Sequence, residues 1–166
     1  IKISESDTIL PIILTSIAET EFDIPIAFND RVQKACMFYL RNNRRTVERW
    51  LTRSAQYVPV MEKMFIDSGL PQNLVYLPLI ESAFNPKAYS RAHASGIWQF
   101  IPSTGRIYGL RNNYWIDERR DPLKATASAI RYLKKLYTEF GHWYLALGAY
   151  NCGEGRIRRA ISKAQV

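Results

Sequence analysis

The sequence is poor in the residues that build disulfide scaffolds and metal sites. It has two cysteines, Cys36 and Cys152, and two histidines, His93 and His142, in 166 residues. Two cysteines are too few for a disulfide framework, and we expect two separate buried thiols, because free cysteine is usually buried. Neither histidine has a second ligand at metal spacing, so we predict no metal site.

Long apolar runs are also missing. Residues 8–18 form an apolar stretch, but it is shorter than the ~20 residues that span a bilayer, and Pro11 and Thr15 interrupt it. The chain begins without Met, a basic segment or a signal-peptide cleavage site. We therefore interpret it as a trimmed or mature fragment, in which membrane association would need a segment outside these residues.

The composition is that of one globular domain with a basic balance. Hydrophobic residues make up 47% of the chain and charged residues 23%, which is ordinary for a folded protein. Lys and Arg (23) exceed Asp and Glu (15), giving a net charge of +8. A positive charge favours an anionic partner, such as nucleic acid, a membrane surface or an acidic wall polymer, and does not choose among them.

Along most of the chain, apolar residues recur at the spacing of an α-helix. Residues 1–28 are predicted to be an irregular lead-in, and residues 29–166 one domain that opens with Asn29 as a helix N-cap. No segment shows a convincing β-strand pattern of alternating apolar and polar residues, so we predict an all-α fold. The predicted helices cover residues 32–39, 47–65 with a break at Pro59, 74–80, 97–108, 121–141, 143–150 and 156–163.

The helix over residues 121–141 has the strongest signals. Asp121 is the expected N-cap, Pro122 occupies the first turn, and Gly141 ends the helix. Its apolar side chains recur at helical spacing, which predicts one buried stripe. The predicted stripe consists of Leu123, Ala127, Ile130, Leu133, Tyr137 and Phe140.

Glu81 directly follows the apolar run at residues 74–80. We predict that this run is a helix capped by Asn73, which would place Pro78 close to the first turn. Burial disfavours a charged carboxylate and raises its pKa, and a carboxyl group with a raised pKa can donate a proton near neutral pH. Glycosidic bond cleavage needs such a donor. The alternative is a solvated glutamate that caps a helix or pairs with an arginine.

Residues 95–100 combine three features suited to sugar binding. Gly96 permits close approach of the backbone, and the Gln99 amide can donate to and accept from hydroxyl groups. Trp98 offers a ring on which a sugar could stack, although a large aromatic residue is more often core. Tyr150 and Asn151, at a predicted helix end, add a phenol and an amide.

In combination these segments resemble a known family. Residues 81–84 (ESAF), 96–99 (GIWQ) and 149–153 (AYNCG) are similar, in order and spacing, to the three signature motifs of the family 1 lytic transglycosylases, the SLT domain family. The resemblance covers about residues 24–163. Relatives usually continue beyond the last helix, so we expect the domain to be truncated at its C-terminus.

The resemblance implies a goose-type-lysozyme-like helical fold with a sugar groove. It implies a cofactor-free and metal-free lyase, monomeric and located in the bacterial periplasm or cell envelope. Its substrate would be the glycan strand of peptidoglycan, cut between N-acetylmuramic acid and N-acetylglucosamine with formation of a 1,6-anhydro ring. Glu81 would be the catalytic acid and then the base. The implied substrate-binding residues are Ser82, Gly96, Trp98, Gln99, Tyr150 and Asn151.

Other functions remain open at this point. A lysozyme-type hydrolase of the same fold would use a second carboxylate, for which Glu154 is the one candidate. Asp117 and Glu118 are expected to form ion pairs in a charged turn, and Asp121 to cap a helix. A non-catalytic wall-binding domain is a further alternative, although the presence of Glu81 argues against it. Nucleic-acid binding is not predicted, because the basic residues are scattered and form no known motif.

Overall fold

A computed structural model describes residues 23, 24, 27 and 29–164 of the chain. These residues form α-helices joined by turns, with isolated β-bridges and no strand among them, which confirms the all-α prediction. In chain order the helices are α1 (Asp30–Met37), α2 (Arg44–Ser54), α3 (Val58–Asp67), α4 (Leu77–Ser82), α5 (Pro102–Ile107), α6 (Pro122–Phe140), α7 (Trp143–Cys152) and α8 (Glu154–Ala164). The predicted lead-in lies almost entirely outside the described residues.

Capping residues set several helix boundaries. The Asn29 side chain accepts from two backbone amides in the first turn of α1, and the Asp121 carboxylate does the same for α6 at 3.0 Å. Gly141 ends α6 in the left-handed conformation, with φ of 66°. These three caps are as predicted, because the orphan amides and carbonyls of a helix end need such partners.

The predicted helix over residues 47–65 is divided in two. Helix α2 ends at Ser54, and α3 begins at Val58, with Pro59 in its first turn. Proline lacks an N–H group, and the first turn is where that group has no helical acceptor. The predicted break is confirmed, and the proline starts the second helix.

The apolar run before Glu81 is helical but also divided. A 3₁₀ turn over Gln72–Tyr76 precedes α4, and Pro78 lies in the first turn of α4. The prediction that Asn73 caps one continuous helix is wrong, because it lies inside the 3₁₀ turn. A proline at position 78 cannot donate to the carbonyl of Leu74, so the chain must begin a new helix there.

The helix predicted over residues 97–108 is shorter than expected. Helix α5 begins only at Pro102. The Ser95 amide donates to the Phe100 carbonyl at 3.1 Å, which closes residues 96–99 into a tight turn. Gly96 and Gln99 both have positive φ in this turn, 80° and 49°, which is incompatible with an α-helix.

The core is built around α6, which packs on α3, α7 and the 3₁₀ turn Glu118–Arg120. The predicted stripe is partly wrong, because Leu123 is 53% and Tyr137 40% exposed. Several elements surround α6, so the buried face of this helix is wider than the predicted stripe and rotated relative to it. The buried face includes small and polar residues. The buried residues of α6 are Ala125, Thr126, Ser128, Ala129, Ile130, Tyr132, Leu133 and Leu136.

Two further sequence expectations concern thiols and membrane spans. Cys36 and Cys152 are free, as predicted, but both are only half-buried, because each lies on a helix that presents part of its surface to solvent. Among the helices of the described residues, none combines the length and apolarity that crossing a bilayer requires.

Candidate active site

Glu81 lies on the last turn of α4, immediately before an abrupt helix end. Ala83 and Phe84 both have positive φ, 53° and 54°, and the Ala83 amide donates to the Leu79 carbonyl at 3.1 Å. Phe84 is fully buried. Two consecutive left-handed residues are costly, and burial of the Phe84 ring offsets that cost, so the backbone at the end of α4, from which Glu81 extends, is held in place.

Glu81 lines a cavity of about 480 Å³. This volume is typical of pockets that bind small organic groups. Three parts of the chain form the walls: α4, residues 90–104, and the α6–α7 pair. The cavity is lined by Glu81, Ser90, Ala92, Ala94, Gln99, Phe100, Ile101, Thr104, Tyr132, Tyr150, Asn151, Cys152 and Gly153.

Burial controls the chemistry of Glu81. Desolvation raises the pKa of its carboxyl group above the ordinary value of 4.5, because a low-dielectric environment disfavours the charged form. Among the described residues, none makes an ion pair or hydrogen bond with this group that would offset the effect. A half-buried carboxyl group without a cationic neighbour is suited to donate a proton.

Ser82 is turned away from the cavity. Its hydroxyl group donates to the Ile97 carbonyl at 2.8 Å, and it is not among the described residues that line the cavity. The bond joins the end of α4 to the turn at residues 96–99. Ser82 therefore holds two walls of the site together.

Gly96 contributes to the site through its backbone conformation, as Ser82 does through its hydrogen bond. Its φ is 80°, and a Cβ atom at this position would lie 1.7 Å from the Arg119 carbonyl oxygen. Only glycine allows this approach. Gly96 thus sets the position of the turn, and the cavity lining does not include it.

Trp98 belongs to the core. Its side chain is fully buried, its indole N–H donates to the Thr126 hydroxyl at 2.9 Å, and its ring stacks on Phe65 with centroids 6.0 Å apart. The predicted sugar-stacking role is therefore corrected, because a ring with no exposed surface cannot contact a ligand. The core alternative for this residue is the one observed.

Gln99 lines the cavity with one half of its amide group. The side-chain nitrogen donates to the Gly96 carbonyl at 2.8 Å and lies 3.4 Å from the Ala88 carbonyl. The nitrogen is thereby occupied by the backbone. The amide oxygen remains to accept a hydrogen bond from a ligand.

Tyr150 and Asn151 reach the cavity from the end of α7. The Tyr150 hydroxyl donates to the Trp98 carbonyl at 2.7 Å. Burial, followed by the neighbouring charge of Glu81, raises the pKa of Tyr150 well above 10.0. The phenol therefore stays protonated, and its oxygen can accept a hydrogen bond. Asn151 is exposed at the cavity rim.

The sequence interpretation missed an aromatic wall. Tyr132 on α6 lies beside Tyr150, with ring centroids 5.3 Å apart, and Phe100 lies 6.4 Å from both rings. Burial is the main cause that raises the pKa of Tyr132 to about 12. The sequence signal that could have revealed Tyr132 is its spacing of three and four residues from Ala129 and Ser128. Residues at this spacing share one face of a helix, and two small residues on that face indicate close packing.

Glu118 and Asp117 are held in ion pairs. Glu118 bonds Arg111 at 2.8 Å and Lys124 at 2.7 Å, and these bonds lower its pKa to about 2. Asp117 pairs with Arg119 at 2.8 Å. Together with the Asp121 cap, these contacts confirm the structural roles predicted for the charged turn.

Glu154 forms ion pairs with two cationic side chains outside the cavity. Its carboxylate lies 2.6 Å from Lys135 and 3.1 Å from Arg158. It does not line the cavity, where Glu81 is the one carboxyl group among the described lining residues. The structure therefore places no second acid beside Glu81 in this part of the chain.

Arg119 is a second feature that sequence reasoning missed. Its side chain is 2% exposed and donates to the carbonyls of His93 and Phe100 at 2.7 and 2.9 Å. A buried guanidinium with this many acceptors is fully paired. It fixes the segment that forms one side of the cavity.

The raised pKa of Glu81 predicts a dependence of stability on pH. Because the folded-state pKa exceeds the unfolded value, the folded protein binds more protons between the two values, and the free energy of unfolding falls as the pH rises through this window. Glu81→Gln removes the cost of burying the charge. We expect the variant to be more stable than the wild type at pH 7.

Thermal denaturation of both proteins between pH 4 and pH 8 measures this effect. The difference in melting temperature should shrink as the pH falls below 4.5, because the carboxyl group then becomes protonated in the unfolded state as well as in the folded state. A difference that stays constant with pH would contradict a raised pKa at Glu81.

A protein-family model and several individual proteins are similar in sequence to this chain. The family model described as "Transglycosylase SLT domain" matches residues 61–166. "Membrane-bound lytic murein transglycosylase D" of Escherichia coli (strain K12) is 42% identical over 142 residues, which are 85% of this chain and 31% of that protein. The chain thus spans about a third of the length of this relative.

Two other relatives share shorter regions. "Putative tributyltin chloride resistance protein" of Alteromonas sp. (strain M-1) is 45% identical over 95 residues, 57% of this chain and 46% of that protein. "Membrane-bound lytic murein transglycosylase C" of Glaesserella parasuis serovar 5 (strain SH0165) is 30% identical over 123 residues, 66% of this chain and 34% of that protein.

The fold and the cavity define a lysozyme-like helical domain in which Glu81 is the one acidic group among the described residues that line the cavity. The chain belongs to the transglycosylase SLT domain family. This confirms the family indicated by the three sequence motifs.

Proposed function

We propose that this chain is a lytic transglycosylase that cleaves the β-1,4 bond between N-acetylmuramic acid and N-acetylglucosamine in peptidoglycan. The observation that carries the proposal is the half-buried Glu81 carboxyl group, whose pKa is raised by burial in a 480 Å³ cavity. The names of the relatives support the same substrate class, since two of them are lytic murein transglycosylases.

The proposed reaction is an intramolecular transfer with Glu81 as acid and then base. The Glu81 carboxyl group donates its proton to the glycosidic oxygen as the bond from C1 of the muramic residue to that oxygen breaks. The C6 hydroxyl of the same residue then bonds to C1 and gives its proton to the Glu81 carboxylate. The products are a 1,6-anhydro end and a free hydroxyl on the other sugar, and no water is consumed.

One acid is enough for this chemistry. A hydrolase with two carboxylates places the second roughly 5 to 9.5 Å from the first, whereas Glu81 is the one carboxyl group among the described cavity residues. An attacking hydroxyl group within the same sugar replaces the second group by proximity. No cofactor or metal enters the proposed reaction.

The remaining cavity residues are proposed to bind and orient the glycan. The amide oxygen of Gln99 and the phenol oxygen of Tyr150 offer acceptors for sugar hydroxyl or amide groups, and Asn151 offers both kinds of partner at the rim. Ser82 and Gly96 act through the walls that they position, so they are proposed as positioning residues.

We also propose where the protein works. Peptidoglycan lies in the bacterial cell envelope, and relatives named "membrane-bound" are consistent with that location. The chain would act in the periplasm as a monomer on glycan strands. Anchoring to the outer membrane would depend on parts of a longer protein.

A product assay tests the reaction type. Purified peptidoglycan is digested with the 166-residue chain, and the released fragments are read by mass spectrometry. We expect fragments with anhydromuramic ends, each lighter by one water than a hydrolysis product. Reducing-end muramic acid as the main product would replace the proposal with a lysozyme-type hydrolase. Binding to peptidoglycan without release of fragments would favour a wall-binding domain.

A further inference from the structure

A turn after α5 exposes two adjacent aromatic side chains. Tyr114 is 89% and Trp115 86% exposed, and their rings meet edge to face with centroids 4.8 Å apart. Large aromatic side chains are usually buried to a high degree. Two of them side by side in solvent mark a surface that another molecule covers.

The turn has a defined conformation. The Asn113 side-chain oxygen accepts from the amides of Trp115 and Ile116, both at 2.9 Å. The Glu118 amide donates to the Arg111 carbonyl at 2.9 Å and closes the base of the turn. A preformed surface loses little entropy when it binds a ligand.

A polar cavity of about 460 Å³ adjoins the aromatic pair. The Arg120 guanidinium lies over the Tyr89 ring, 5.9 Å from its centroid. A sugar ring has an apolar C–H face and a rim of hydroxyl groups, and this surface offers aromatic rings beside amide and charged groups. The cavity is lined by Tyr89, Asn112, Asn113, Tyr114, Trp115, Ile116, Asp117, Arg119 and Arg120.

This second cavity shares a wall with the Glu81 cavity. Ser90 and Ala94 line the Glu81 cavity, whereas Tyr89 lines the second. Tyr89 pairs with Ser95 in a β-bridge, and the Ser90 amide donates to the Ala94 carbonyl at 2.9 Å, so residues 89–95 form one tight hairpin between the cavities. A polymer that fills the first cavity can continue over this hairpin into the second.

We propose that Tyr114, Trp115 and the adjoining cavity form a second glycan-binding surface, which holds a glycan strand beyond the cleavage cavity. The identity of the glycan as peptidoglycan rests on the proposed function. The polar cavity and its place beside the Glu81 cavity favour a glycan over a lipid surface, because a sugar ring can fill a cavity that a flat membrane surface would only cover. The surface supplies affinity for long strands and takes no part in proton transfer.

Binding of long glycan strands tests the second surface. Strands prepared from peptidoglycan are titrated into the 166-residue chain carrying Glu81→Gln, so that no cleavage occurs. Adding Trp115→Ala should weaken the affinity about tenfold, the effect of one interface hot-spot residue. Trp115→Phe should retain most of the affinity, because it keeps an aromatic face.

Phe38→Ala provides the matched control, since Phe38 is also an exposed aromatic residue (53%) and lies on a different part of the chain. Relative to the chain with Glu81→Gln alone, we expect unchanged affinity for Phe38→Ala and unchanged melting temperatures for all the added variants. Equal affinities for Trp115→Ala and Phe38→Ala would overturn the proposal. Loss of binding to phosphatidylglycerol vesicles, with strand binding intact, would also overturn it and assign the surface to a membrane.

The two proposals fail in different ways. If the unmodified chain releases anhydro fragments and Trp115→Ala binds strands normally, only the second surface is wrong. If the unmodified chain releases no fragments while Trp115→Ala still weakens strand binding, the second surface stands and the proposed catalysis is wrong.

Discussion

Replacing Glu81 with glutamine is expected to lower the rate of anhydromuropeptide release by about three orders of magnitude. General acid–base catalysis contributes about 10²–10⁴-fold, and for one group that serves as both acid and base we expect at least the middle of that range. Glutamine has nearly the same shape and cannot donate the proton that the leaving oxygen needs. The release rate is measured by mass spectrometry on purified peptidoglycan.

Glu154→Gln is the matched control for Glu81→Gln. It makes the same chemical change at a carboxylate that pairs with Lys135 and Arg158 outside the cavity. Solvent screens these ion pairs, in which Glu154 is partly and Lys135 and Arg158 are more fully exposed, so both folding and release rate should stay close to those of the wild type. If Glu154→Gln removed activity and Glu81→Gln kept it, the assignment of the acid would be wrong.

Gly96→Ala is expected to lower the free energy of unfolding by about 2–5 kcal/mol. The new methyl group would lie 1.7 Å from the Arg119 carbonyl oxygen, on a residue with φ of 80°. Overpacking against a rigid neighbour costs about 1–3 kcal/mol, and a left-handed conformation about 1–2 kcal/mol more. The neighbouring atom is backbone and cannot rotate away, so the turn at 96–99 must shift.

Thermal denaturation measures this loss, which corresponds to a fall of roughly 10 °C in melting temperature for a domain of this size. Gly155→Ala is the control, because a Cβ atom there meets nothing within 4 Å and alanine is the better helix former. That variant should be as stable as the wild type or slightly more stable. A Gly96→Ala protein with wild-type stability would show that the turn does not need glycine.

Local signals were sufficient for most of the fold. Asn29 and Asp121 cap their helices, and Gly141 ends α6, because each interaction lies within a few residues along the chain. The buried face of α6 was predicted less well. Which side chains are covered depends on how many neighbours surround the helix, and Leu123 and Tyr137 lie outside that contact.

The sequence also indicated the family and the central acid. Three motifs in the right order indicated the SLT domain family. The position of Glu81 after an apolar run left two alternatives, a buried carboxyl group with a raised pKa and a solvated glutamate, and the first is the one observed. The motifs depend on residue type and spacing, so they can be taken from the chain alone.

Only the tertiary structure decided how the other motif residues act. Trp98 and Gln99 are adjacent, yet the Trp98 ring is in the core and the Gln99 amide is in the cavity. The direction of each side chain is set by a turn that Gly96 and the distant Arg119 close together. Contacts between residues far apart in the chain leave no local pattern, so the division of these residues between support and cavity follows from packing.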